Sequence, residues 1–276
     1  MKWRRFVSLT ILAVLILMDI VFYGTVFIFL DDWVGLHSSA GLTNAVIFTV
    51  LASLTLFSFL VCVFTDPGVV PSGYFPDIET SDGSDQESRE TEALTKHCDK
   101  CSAYKPPRAH HCRVCRRCVL KMDHHCTWIN NCVGHRNYKA FFLLVVYATI
   151  SSLYSTVIIV GCGVQKDWES AGTLRLKTFY ITSGVMISLL SLTLGTLLGW
   201  HIYLLTRNRT TIEYYAETRA VWLAKKSGQI YRHPYDVGVY RNLTMILGPH
   251  MLKWLWPSAS SHVKDGTSFP TVRDSL

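Results

Sequence analysis

Residues 98–142 read CDKCSAYKPPRAHHCRVCRRCVLKMDHHCTWINNCVGHRNYKAFF, and the make-up of this stretch decides the fold. Seven of the nine cysteines of the chain lie in it, with His110, His111, His124, His125 and His135 among them and His97 just before. Between Leu94 and Asn137 aliphatic side chains are too few for a core, so the segment has to fold around something else. Metal is the usual answer for such a density of Cys and His. The C-x2-C spacings at Cys98/Cys101 and Cys112/Cys115, with Cys118 one such step further on, put pairs of thiolates on one turn, as tetrahedral zinc requires. Two closed sites take about eight ligands. The segment offers more, and spacing alone does not say which are spare.

On both sides of this stretch the composition changes. Hydrophobic residues make up 49% of the 276 and charged ones only 17%, and the apolar residues are clumped. Four runs, Phe6–Leu30, Leu42–Phe64, Ala140–Val164 and Phe179–Leu205, reach the roughly 20 residues that cross a bilayer. The first follows MKWRR, but it is too long for the apolar core of a signal peptide and no small-residue cleavage site follows. It is expected to stay as a transmembrane helix. Lys and Arg number 3 before the first run, 0 in Asp31–Gly41, 11 in Thr65–Lys139, 3 in Gln165–Thr178 and 10 from Thr206 onward. The positive-inside rule then puts both termini and the long middle segment in the cytosol.

The expected fold is therefore an α-helical polytopic membrane protein: four transmembrane helices with a cytosolic two-zinc cysteine-rich domain between spans two and three. Along the chain, 1–65 holds the first two spans and 66–93 is a cytosolic linker, acidic and serine-rich from Pro76 to Glu92 and expected to be mobile. Residues 94–138 form the cysteine-rich domain, 139–205 the last two spans, and 206–276 a cytosolic C-terminal region whose polar stretch after Pro257 is expected to be disordered. In the reducing cytosol disulfides are disfavoured, which leaves the thiols to metal or catalysis. The net charge of +7 faces anionic lipid and acidic ligands. Nothing resembles a nucleic-acid-binding module, so nucleic acid is not an expected partner. The sequons at Asn208 and Asn242 fall on the cytosolic side and are expected to carry no glycan. Asp19, inside the first span, is expected either to be protonated or to pair with polar groups of neighbouring helices.

The string MDHHC raises a second chemistry. A thiolate is the reactive form of cysteine, a histidine can take its proton, and an aspartate can fix that histidine. Asp123, His124 and Cys126 supply the three within four residues. On these residues alone Cys126 is as well read as one more zinc ligand. An enzyme with a free nucleophile and a zinc-organised membrane scaffold or RING-like ligase component therefore both stand. A transporter does not fit, because the runs carry few polar residues and no evident breaks.

Further motifs carry a resemblance. DPG stands at Asp66–Gly68, TTIE at Thr210–Glu213 and HPYDVGVYRNLTMILG at His233–Gly248. Together with the cysteine-rich stretch and the four-span layout, they make the chain resemble the DHHC-type protein S-acyltransferases, or palmitoyltransferases, over nearly its whole length. The resemblance implies two interleaved CCHC zinc sites: Cys98, Cys101, His111 and Cys118 for one structural zinc, and Cys112, Cys115, His125 and Cys132 for the other. It leaves Cys126 free as the nucleophile that takes the acyl group from a fatty acyl-CoA co-substrate and passes it to cysteines of membrane-associated protein substrates. His124 is then the general base, Asp123 its orienter, Thr211 the residue that hydrogen-bonds the aspartate, and Asn242 a packing anchor. Lys105 and Arg108 are the implied partners of the CoA phosphates. An endomembrane (Golgi or ER) or plasma-membrane location follows for such an enzyme.

Two departures stand out. Thr127 occupies the place of the usual proline after the DHHC string, and His233 that of the usual asparagine before PYD. Ser151 and Ser152 lie about 18 Å along the third span from Lys139, close to the reach of a sixteen-carbon chain. Small residues there are expected to leave room for long acyl groups.

Overall fold

The computed structural model describes residues 8–76, 97–169, 173–257, 265–272 and 274. The acidic linker expected to be mobile falls almost wholly outside the described residues. Four helical stretches are long and apolar enough to cross a membrane: Leu9–Val34, Ser39–Phe64, Tyr138–Gln165 and Leu174–Thr206. The first is composite, with α1 (Leu9–Tyr23) passing through a π-helical stretch, Gly24–Leu30, into the short α2 (Asp31–Val34). It runs past the predicted end at Leu30, through two aspartates, until Gly35 turns into the left-handed region at φ 77°. Asp32 is tolerated there because its carboxylate accepts from Lys166 and from the Tyr180 hydroxyl.

The chain divides into two compact units. One holds most of α3 (Ser39–Phe64), α4 (Tyr138–Gln165) and α5 (Leu174–Thr206), together with α1 and α2. Its core gathers Phe29, Leu30, Ile158, Ile159, Cys162, Tyr180 and Ile187. Polar side chains inside it meet in pairs, Thr25 with Ser155 at 2.6 Å, Thr55 with Ser151 at 3.3 Å and Thr156 with Ser191 at 3.0 Å. Ser151 and Ser152 are buried, as small residues in a close helix contact must be. Asp19 is on the exposed side of α1 and pairs with no neighbouring helix among the described residues, so the pairing alternative does not hold.

The other unit contains Cys62–Lys139, Tyr203–Leu255 and the end of the chain. Its centre is three two-stranded antiparallel hairpins: β1 (His97–Cys98) with β2 (Ala103–Tyr104), β3 (His110–Cys112) with β4 (Arg117–Val119), and β5 (His124–Cys126) with β6 (Asn131–Val133). Around them lie α6 (Thr211–Lys226) and α7 (Val239–Leu247). The DPG turn is a tie rather than a linker. Asp66 accepts from the Gly68 amide and from Arg117, while the Pro67 and Gly68 carbonyls accept from the amides of Arg136 and Leu120. Asn131 donates to the carbonyls of Cys62 and Thr65, which satisfies backbone groups at the end of α3. The stretch after Pro257 is not wholly irregular as expected: Val272 donates its amide to the Pro234 carbonyl at 2.8 Å.

Candidate functional site

The interleaving of the cysteines and histidines follows from the alternation of a β-strand, in which successive side chains leave on opposite faces. In the first of the two longer hairpins His111 stands across from Cys118, and in the second His125 stands across from Cys132. Each cross-strand pair joins a C-x2-C turn, giving one cluster of Cys98, Cys101, His111 and Cys118 and another of Cys112, Cys115, His125 and Cys132. Cys112, next to His111, leaves on the other face and so enters the other cluster.

Both clusters have the dimensions of a zinc site. Tetrahedral ligands on zinc stand roughly 3.5–3.8 Å apart. Around His111 Nδ1 the Sγ atoms of Cys101, Cys98 and Cys118 lie at 3.2, 3.5 and 3.8 Å. Around His125 Nδ1 those of Cys115, Cys132 and Cys112 lie at 3.5, 3.5 and 3.6 Å. The eight residues fit two zinc ions and supply one donor atom each.

The same alternation sends His124 and Cys126 away from His125 between them. Burial raises the Cys126 thiol, but a hydrogen bond to His124 and backbone donors at Ile129 and Trp128 outweigh it and bring the thiol below its ordinary value. Burial also pulls His124 down, and here hydrogen bonds to Asp123 and Cys126 with their charges win, raising the imidazole to about 9. The pair is thus biased towards thiolate and imidazolium. Asp123 is fully buried and lies 2.7 Å from His124 Nδ1. Its carboxylate accepts the Thr211 amide and hydroxyl, each at 2.9 Å.

Thr211 is delivered by the start of α6. Thr210 caps that helix, its hydroxyl accepting from the Glu213 amide while the Glu213 carboxylate accepts from the Thr210 amide. This is the reciprocal capping box that T-x-x-E encodes, and TTIE is legible as one without any family knowledge. The Asp123 carboxylate therefore sits at the positive end of a helix, where negative charge is favoured.

Arg108 sits in a place the resemblance does not imply. Its fork donates to both carboxylate oxygens of Glu213, at 2.6 and 2.7 Å, and to the side chain and carbonyl of Asn208, at 3.1 and 2.7 Å. The side chain is 1% exposed, which leaves no face for a CoA phosphate. Burial raises the Glu213 carboxyl, yet the charge and hydrogen bonds of Arg108 bring it down to about 2. Lys121 donates to the same Asn208 side chain, and burial holds its ammonium well below the usual range. Lys105 is half-buried and Thr127 is exposed on the turn after β5.

His233 is marked by the sequence as a departure before PYD, without indication of its partners. It is buried, bonded to Glu217 through Nδ1 and 3.2 Å from the Asn208 carbonyl through Nε2, so both ring nitrogens face oxygen acceptors. Asn242 is the packing anchor expected, donating to the Thr206 carbonyl and to Asp236 while accepting from the Val237 amide. Asn208 and Asn242 are both buried and bonded, so neither side chain is free to carry a glycan in this fold.

A family model described as DHHC palmitoyltransferase matches residues 91–218. The chain is 59% identical over 258 residues to a probable protein S-acyltransferase 15 of Arabidopsis thaliana, covering 94% of this chain and all of that one. It is 49% identical over 272 residues to a probable protein S-acyltransferase 16 of the same plant, covering 98% and 94%. A palmitoyltransferase PFA4 of Mycosarcoma maydis is 32% identical over 78% of this chain and 50% of its own length.

Proposed function

The chain belongs to the DHHC palmitoyltransferase family, and on that premise we propose that Cys126 carries the acyl group in transit. The activity is protein S-acylation, and four membrane-crossing helices make the chain an integral membrane protein. The scaffold and RING-like ligase readings are not favoured, since neither accounts for relatives named as acyltransferases along nearly the whole chain.

The reaction runs in two exchanges. The Cys126 thiolate attacks the carbonyl carbon of the fatty acyl-CoA thioester, the carbon–sulfur bond to CoA breaks, and the departing thiolate takes the proton from the His124 imidazolium. A substrate cysteine then gives its proton to His124 and attacks the Cys126 thioester, and the Cys126 thiolate leaves. One thioester replaces another in each step. Asp123 holds the His124 ring in one orientation and stabilises its charge, and Thr211 holds Asp123. Zinc bound by four protein ligands has no open position for substrate and acts on the structure alone. We assign Cys98, Cys101, His111 and Cys118 to one ion and Cys112, Cys115, His125 and Cys132 to the other. Arg108 we assign to the support of α6, leaving Lys105 as the residue for a CoA phosphate.

By the distribution of Lys and Arg, the termini and the zinc-rich unit face the cytosol, in an endomembrane or the plasma membrane. There the bilayer delivers long-chain acyl-CoA and membrane-associated protein substrates.

The observation that carries this reading is the placing of Cys126 on the strand face opposite His125, beside His124. The test is mass spectrometry of the purified chain after incubation with palmitoyl-CoA, alongside Cys126→Ser. A hydroxylamine-labile adduct on Cys126, absent from the variant, is expected. A folded, zinc-loaded protein that takes up no acyl group of any length would sink it.

A further inference from the structure

We propose that Phe269, near the end of the chain, is a positioning residue for acyl transfer, seating the Arg108 guanidinium and through it the helix end that holds Asp123. This rests on the reading of Asp123, His124 and Cys126 given above.

Phe269 lies in the polar stretch that sequence reading leaves as disorder. Its ring stands edge-on to His135, centroids 5.4 Å apart at 90°, and to Tyr235 at 6.1 Å and 75°. The guanidinium of Arg108 is 5.1 Å from the Phe269 centroid and 4.5 Å from that of Tyr235, and the Lys121 ammonium is 5.7 Å from Phe269. Aromatic faces at such distances attract cations, more strongly where water is kept out.

The ring is held in place from both sides. Downstream, Val272 is tied to the Pro234 carbonyl, and Thr271 donates its amide and hydroxyl to Asp274 at 2.6 and 2.9 Å. Upstream, Gly266 has φ +79° and lies so close to His135 that a Cβ would come within 2.4 Å of its ring. Only glycine fits there.

What lies beneath Phe269 needs a cover. Arg108 and Lys121 both donate to the side-chain oxygen of Asn208, so two cations converge on one acceptor. Their backbones are in the left-handed region, at φ 66° and 40°, which a non-glycine residue adopts at a cost and keeps only where its surroundings hold it. From Arg108 the connection is short. Its bidentate pair with Glu213 fixes the residue that closes the capping box on Thr210, and the next residue, Thr211, makes both bonds to Asp123. With the ring removed, water competes for the guanidinium and the α6 end loosens.

Acylation of Cys126 by palmitoyl-CoA would be timed by intact mass for the full chain and for F269A, F269L and F269Y. F269A is expected to lower the maximal rate roughly threefold to tenfold, the size of one cation–π contact at a half-buried ring. The palmitoyl-CoA concentration for half-maximal rate and the zinc content are expected to stay unchanged. F269Y restores the rate and F269L, which fills the space without a π face, does not. A wild-type rate in F269A, or equal repair by leucine and tyrosine, overturns the proposal. Amide hydrogen exchange at Thr211 reads the same clamp without any acyl transfer, and faster exchange in F269A is expected. Unchanged exchange would overturn the proposal even in a protein whose Cys126 takes up no acyl group. Absence of an adduct in the wild type counts against the acyl-enzyme reading alone.

Discussion

Hydroxyls in the membrane-crossing helices mostly turn back on their own helix. Thr49, Thr178, Ser188, Thr193 and Thr196 each donate to the carbonyl four residues earlier. In the zinc-rich unit the side chains reach far along the chain: Asn131 to Cys62, Lys121 to Asn208, Thr211 to Asp123, Arg108 to Glu213. A span needs apolar surface and satisfied backbone, which many sequences provide. The zinc-rich unit has only a small apolar core, around Val119 and Met122, and its shape depends more on individual ligands and hydrogen bonds. Tolerance to substitution should therefore differ sharply between them.

The largest effect should come from the ligands. Cys115→Ser, or chelation of the metal, is expected to unfold the zinc-rich hairpins and abolish acylation, as read by zinc content and protease resistance, because metal affinity there is folding energy. A protein that kept its hairpins without zinc would erase the contrast.

Next is the Arg108–Glu213 pair. Arg108→Met leaves a buried carboxylate without its guanidinium, a loss of about 3–5 kcal/mol measurable by thermal unfolding in detergent. Glu213→Gln adds a pH test. The folded carboxyl is depressed to about 2 from an ordinary 4.5, so its contribution is complete above about 4.5 and fades as pH falls towards about 2. The stability gap between wild type and E213Q should narrow over that window. The comparison is made at pH values where both proteins retain zinc, since loss of the metal would unfold the hairpins themselves.

Thr211→Val removes the hydroxyl from Asp123 but leaves the amide donor. Loss of one hydrogen bond to a charged group is worth about 1.5–3 kcal/mol, so acylation should slow roughly tenfold or more with zinc retained. Single-turnover mass spectrometry would read it. In the spans, Thr193→Ala should change thermal stability by less than about 0.5 kcal/mol, since its hydroxyl only serves its own helix. A large loss there would mean that the spans are as specific as the zinc-rich unit.

The two regions also differed in how far the sequence could be read. The spans were legible because hydropathy is a sum over many residues and survives errors at single positions. Their ends were less so, since Asp31 and Asp32 look like a stop and Asp32 is in fact bonded to Lys166 and Tyr180. In the cysteine-rich stretch the metal was legible from density and spacing. The two ligand sets came from family resemblance, because their cause is strand alternation in strands of two or three residues, too short to show a period. Arg108 was placed by motif, and its partner Glu213 lies 105 positions away. Nothing local announces such a pairing, and nothing local marks Phe269.

The doublets His111–Cys112 and His125–Cys126 put one rule to two uses. Neighbours on a strand have opposite parity, so they cannot be drawn to the same ion. At the first doublet parity routes adjacent residues to two different Cys/His clusters. On the proposed assignment, at the second it routes one to a metal-binding cluster and the other to acyl transfer. The thiol next in sequence to a ligand is thereby the one that metal cannot claim, and a reactive sulfur can sit among avid zinc donors without being titrated by zinc.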